Sequence, residues 1–283
     1  MTNHLPNHGV HQSIKLPAAA SWEEIATGND LDRPVHIHSL GRFSVQSRGQ
    51  AVTSSVKARH QRPLELLQAL IALGGRGVHA DLLSQALWPD AEGDKAQNAF
   101  DVTLHRLRQL LGQKDFLLVH DRRLTLNSEL VWVDVWAFER AVNHAERLLG
   151  SFDQPQAMYE LERSENRILS LYQGAFLERE ATRTWTLSLR ERLRSKLLRH
   201  ITEAGRVWET AGKWDRATRY YQKGLEIDPL LETLHQRLMC CFRHTGRVAE
   251  ALATYQRCRV LLAEQLQIEP SQATQDLYKS LRT

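Results

Sequence analysis

The sequence predicts a mainly α chain in two parts, an α/β winged helix-turn-helix unit followed by an all-α unit of tetratricopeptide-like helices. Three observations carry that expectation. Between residues 35 and 135, stretches of period-two alternation bracket three stretches with apolar residues at helical spacing. Beyond residue 136 the helical period runs almost unbroken. Within that second part the chain repeats itself at an offset of 34 residues, which is the tetratricopeptide period.

Residues 1–32 are polar, with Pro, Gly, Asn and His scattered through them, and read as a flexible arm. His4, His8 and His11 stand at steps that a helix could gather around a metal, but Pro6 and Gly9 oppose that helix, so no metal is expected. In "VHIHSLGRFSV", Val35, Ile37, Phe43 and Val45 alternate on either side of a turn signal, giving two strands with His36 and His38 at exposed positions. "RHQRPLELLQALIALGG" places Leu64, Leu67, Leu70, Ile71 and Leu73 on one helical face and stops at Gly74 and Gly75. "HADLLSQALWPD" follows, with Leu82, Leu83, Ala86, Leu87 and Trp88 before Pro89. A third helix covers residues 96–112, and "FLLVHDRRLTLNSELVWVDV" reads as strand, turn at "HDRR", strand.

The third helix has two unlike faces. Phe100, Leu104, Leu107 and Leu111, joined by Ala96, form the stripe that turns to the core. At 100° per residue, Lys95, Asn98, Val102, His105, Arg106 and Gln109 fall on the opposite side. All but Val102 can hydrogen-bond phosphates or base edges, and Val102 suits a thymine methyl. Asp101 and Arg108 share a flank, where an ion pair competes with a nucleic-acid role for Arg108. A charged outer face alone is what water asks of most helices. Its place directly before a hairpin tipped by His120, Asp121, Arg122 and Arg123 turns two basic surfaces toward one ligand, double-stranded DNA.

Composition narrows the classes. With 283 residues, 42% of them apolar and 25% charged, the chain is long enough for two packed domains. Its net charge of +4 permits a polyanionic partner without demanding one. No apolar run reaches the length of a membrane span, the first residues lack the order of a signal peptide, and a cytoplasmic location is expected. Cys240, Cys241 and Cys258 have neither zinc nor disulfide-framework spacing and read as reduced core residues. No phosphate loop, nucleophile elbow or HExxH helix occurs, so neither an enzymatic activity nor a cofactor is expected.

The ordered segments "LLSQALWPD", "AQNAFDVTLHRLRQLLG", "FLLVHDRRLTL" and "WVDVWAFE" resemble the OmpR-type winged-helix domain of bacterial regulators of the antibiotic-regulatory-protein (SARP) type, over residues 35–139. That resemblance implies that Thr103, His105, Arg106 and Arg108 occupy DNA-contacting positions. Two features depart from the family pattern. "HDRRLTL" lacks the glycine-rich turn and tyrosine usual in the wing, and His105 stands where several members carry Arg or Lys. The second part, from "LYQGAFL" through "GRVAEALATYQRCRVLLAEQLQIEPS", resembles the bacterial transcriptional activation domain that follows in the same regulators. In its repeat Ala217, Tyr221 and Gln222 recur as Ala251, Tyr255 and Gln256. The expected organisation is an arm at 1–32, a DNA-binding domain at 33–135 and the helical domain at 136–283.

The expected function is sequence-specific promoter binding by a transcription regulator, an activator. The helical repeats would serve self-association on tandem half-sites and contact with RNA polymerase or another regulator. The alternative is a helical-repeat adaptor whose winged unit binds protein. RNA binding would call for an aromatic stacking platform, and none is evident.

Overall fold

A computed structural model describes residues 32–52, 61–91, 93–112, 115–150, 155–180 and 182–282. The histidines of the N-terminal arm lie outside the described residues. In chain order the elements are β1 (Val35–His38), β2 (Ser44–Ser47), β3 (Gln50–Ala51), α1 (Gln61–Ala72), β4 (Val78–His79), α2 (Ala80–Leu87), α3 (Gly93–Leu111), β5 (Leu117–His120), β6 (Arg123–Leu126) and β7 (Val131–Val133). Helices α4 (Asp134–Leu149), α5 (Pro155–Leu171), α6 (Thr184–Thr210), α7 (Trp214–Ile227), α8 (Glu232–His244), α9 (Val248–Leu266) and α10 (Gln272–Ser280) complete the chain.

Two small sheets frame the first three helices. One has the order β3-β2-β1-β7, with β1 antiparallel to β2 and parallel to β7; the other has the order β4-β6-β5 and carries the wing hairpin. The last alternating stretch therefore does not continue the wing. Strand β6 ends at Leu126, where Asn127 accepts from the Glu129 amide through its side chain and from the Val131 amide through its carbonyl, and the chain crosses to the other sheet. With β7 beside it, β1 is an inner strand. His36, expected at an exposed position, is accordingly buried, and both it and the half-buried His38 pack on Trp132, with ring centroids 5.8 and 5.1 Å away. The apolar stripes behave as expected at Leu64, Leu67, Leu70, Ile71, Leu83 and Leu87, all buried, while Leu73 and Leu82 turn outward.

The start of α4 locks the two parts together. Asp134 is buried and accepts hydrogen bonds from the Ser39 amide (2.5 Å), the Ser39 hydroxyl (2.7 Å), the Leu40 amide (2.7 Å) and the Val135 amide (2.8 Å). Burial pushes its carboxyl up and the neighbouring His38 imidazole down, and each charge partly offsets the shift of the other. The "YQGAF" segment closes against the same turn. Leu40 bridges Phe176, the Gly41 amide donates to the Ala175 carbonyl (3.0 Å), and the Leu177 amide donates to the Ser39 carbonyl (2.8 Å). A Cβ on Gly174 would meet the Gly41 Cα at 3.0 Å, so both positions require glycine for this approach. Arg190 then donates to the Phe176 and Leu177 carbonyls (3.0 and 2.8 Å), and Arg183 reaches buried Glu65 of α1 at 3.2 Å. One continuous apolar cluster runs from Val35 to Leu281.

Small residues set the spacing of the helical stack. Ala217 and Ala251 are fully buried, and a Cβ on Gly205 would fall 2.3 Å from the Tyr221 ring, so α6 and α7 meet backbone against aromatic. Helix α5 brings Glu165 into this core, where it accepts the Trp208 indole N–H at 2.9 Å.

Two outcomes test this account. Asp134→Ala leaves the Ser39 and Leu40 amides buried without acceptors, and should lower stability by about 3–5 kcal/mol, read in chemical unfolding of the full chain. Burial, opposed by the Trp208 bond, pushes the Glu165 carboxyl up from 4.5 to about 7. A proton is thus held more tightly folded than unfolded, and the linked stability is full below pH 4.5 and lost as pH rises through 7. Glu165→Gln should remove that loss, a gain on the order of 3 kcal/mol over the wild type at pH 8 that vanishes in acid. Parallel unfolding curves at every pH would refute the burial of an ionisable carboxyl.

Candidate nucleic-acid interface

Helix α3 is held from three sides. Phe100, Leu104, Leu107 and Leu111 are buried against the core, as their spacing predicts. The Ser47 hydroxyl of β2 caps the last carbonyl at Leu111 (2.8 Å), and the Arg108 guanidinium donates to the Leu117 carbonyl of β5 (3.4 Å). What remains outside is a stripe at steps of three and four residues. Lys95, Asn98, Val102, His105 and Gln109 lie along it with Arg106 beside them, and all six are exposed. Among the described residues neither Lys95 nor Arg106 makes an ion pair, so both charges are open to a ligand.

Four expected site residues are placed differently. Thr103 is only 6% exposed and sits on the core side next to Leu104, and so leaves the candidate surface. Arg108 is half-buried and spent on Leu117; it does not pair with Asp101, which instead accepts from Gln97 at 2.9 Å. Arg122 folds back from the wing tip onto Asp81 of α2 (2.6 Å) and the Gln97 carbonyl oxygen of α3 (2.7 Å). Arg123 donates to the Gly77 carbonyl at 3.0 Å.

The physical reason lies in the turn. His120 pairs with Arg123 across a two-residue connection in which Asp121 (φ 47°) and Arg122 (φ 58°) are both left-handed. Such a turn ordinarily takes Asn-Gly or Asp-Gly, and a left-handed side-chain residue costs about 1 kcal/mol or more. The Asp81 and Gln97 contacts hold Arg122 there, so a charge expected at the tip is used to fasten the wing to the helix pair. Neither partner was legible locally. Asp81 is 41 residues from Arg122 in sequence and Gln97 is 25.

A winged helix-turn-helix followed by tetratricopeptide-like helices is the architecture of SARP-type bacterial transcriptional regulators. Residues 133–282 match the bacterial transcriptional activator domain, and the chain belongs to that family. It is similar to the regulatory protein AfsR of Streptomyces griseus, 29% identical over 234 residues that make up 79% of this chain and 22% of AfsR. The chain thus spans well under a third of that relative's length. Its fold resembles that of Mycobacterium tuberculosis EmbR, solved in complex with a low-affinity phosphopeptide, with a TM-score of 0.67 and 19% identity over 89% of this chain and 65% of that one. These matches support the resemblance to SARP-type bacterial transcriptional regulators. No helix of the described residues is long and apolar enough to cross a membrane.

If Arg122 fastens the wing, Asp81→Ala should speed amide exchange at residues 118–124, and Arg122→Ala, which also gives up Gln97, should speed it further. The double substitution should add nothing further. Additive acceleration would mean that the two residues act separately.

Proposed function

We propose that the chain is a sequence-specific DNA-binding regulator, an activator, that lays α3 in the major groove of promoter DNA. The observation that carries this reading is the six-residue exposed stripe of α3, rich in donors and standing opposite its core stripe. In this reading Arg106 and His105 face base edges, Lys95, Asn98 and Gln109 reach backbone or bases, and Val102 packs on a methyl. The wing backbone and His120 approach the neighbouring strand. Residues 33–135 form the DNA-binding unit, residues 136–283 the unit for self-association and for contact with RNA polymerase or another regulator, and residues 1–32 an arm. Its site of action is the cytoplasm.

A single winged unit makes a small DNA interface, on the order of 600–1,000 Å², so useful affinity calls for two copies. Tandem, directly repeated half-sites about one helical turn apart suit head-to-tail placement of two such chains.

The test is selection of bound duplexes from a random library with the full chain, followed by gel-shift titration. Arg106→Ala should weaken the selected site by about 1–3 kcal/mol while leaving weak non-specific binding in place. An unchanged affinity would remove α3 as the reading element. Failure to enrich any duplex, with retention on DNA indifferent to salt, would favour the adaptor, a reading to which the exposed Leu118 and Val119 on edge strand β5 lend themselves.

A further inference from the structure

The helical half has a surface that DNA reading does not use. Where α6 turns into α7, a groove of about 570 Å³ opens between the first turns of α7 and the N-terminal half of α5. Its floor is aromatic. Trp208 lies beneath, Trp214 stacks on His244 with ring centroids 4.0 Å apart, and Tyr159 is 64% exposed at the rim.

Lys213, Arg216 and Arg219 recur every three residues along one side of this groove. Arg216 lies 4.5 Å over the Trp208 ring and pairs with Glu162 of α5. Burial and then the Arg219 charge push its guanidinium below the ordinary value, a sign that positive charge is crowded here. Lys213 and Arg219 are exposed and make no ion pair among the described residues. Asp215, also at the rim, lies within electrostatic reach of Arg247.

The internal repeat supplies a control. Positions that the fold needs are the same in both units, Ala217 with Ala251 and Tyr221 with Tyr255, and all four are buried. Most groove positions are not: Lys213 corresponds to another cation, Arg247, but Trp214 corresponds to Val248, Arg216 to Glu250 and Arg219 to Ala253. Helix pairing of this kind forms without the indole and without the Arg216 and Arg219 charges, so their presence in one unit calls for another cause.

We propose that this groove binds an acidic peptide segment of a protein partner, seating an aromatic or aliphatic side chain between Tyr159 and Trp214 while its carboxylates meet Lys213 and Arg219. An aromatic-floored groove with Tyr159 exposed at its rim, beside unpaired cations, matches that ligand in both shape and charge. The inference stands apart from the reading of α3 as a DNA helix and survives its failure.

The test displays a random dodecapeptide library against the immobilised full chain. Enriched peptides should combine Asp or Glu with an aromatic or aliphatic anchor, weaken as salt rises, and lose about tenfold in affinity with Lys213→Ala/Arg219→Ala. Lys213→Arg/Arg219→Lys should keep most of that affinity, and retention of either double variant on duplex DNA should match the wild type. Three results would overturn the proposal: no acidic class among the enriched peptides, equal binding to Lys213→Ala/Arg219→Ala, or displacement of the peptides by duplex DNA, which would make the groove a nucleic-acid surface.

Discussion

The buried carboxylate of Asp134 is the point on which the two halves of this molecule turn. Its position follows from sheet order. Because β7 lies parallel to β1, with Val133 opposite Ile37, both strands end at the same edge, and the residues that follow them meet side by side. Ser39 and Leu40 leave β1 with two amides that no strand can satisfy. Asp134 leaves β7 as the first residue of α4 and supplies the acceptor for both. A residue without a side-chain acceptor there would leave backbone donors buried without partners, which is among the dearest errors a core can contain. The same turn then receives the Gly174–Leu177 segment from beyond α5, so one short stretch of backbone is gripped from two distant parts of the chain.

This arrangement couples the candidate DNA surface to the repeats mechanically. Helix α3 packs on α1, α1 offers Glu65 to Arg183 at the entry of α6, and α6 carries the stack of α7 to α10. No flexible linker intervenes between Val133 and Asp134, where strand passes straight into helix. In a proposed assembly on tandem half-sites, the spacing between copies would be set by a fixed angle and not by the reach of a tether.

Much of this was legible in the sequence, and the residues show where legibility stops. The stripes of α1, Leu73 apart, and of α3, the glycine stop after α1, the wing turn and the 34-residue repeat all rest on local periodicity, and each stands in the structure as read. What periodicity could not convey was pairing between distant segments. The burial of His36 depends on β7 arriving beside β1, nearly 100 residues later. The role of "YQGAF" lies in backbone hydrogen bonds, to which side-chain pattern is blind. Thr103 shows the limit from the other side. Taken as a contact by family likeness, it sits next to Leu104 on the helix and shares the burial of that residue.

The wing shows how one local departure alters the balance of a whole surface. Without glycine in its turn, the hairpin places an arginine in a left-handed conformation and depends on Asp81 and Gln97 to keep it there. Arg122, Arg123 and Arg108 are thereby engaged within the protein, and the open cations of α3 are Lys95 and Arg106, with exposed Asp94 and Asp101 on the same helix. In the proposed reading of α3 as a DNA helix, a helix with two open cations releases few counterions, so its own non-specific contribution is weak and only mildly salt-dependent. Such a domain gains little from charge alone. In that reading affinity rests on the fit of the α3 stripe to a particular sequence and on a second copy beside the first, which the fixed junction at Asp134 would orient.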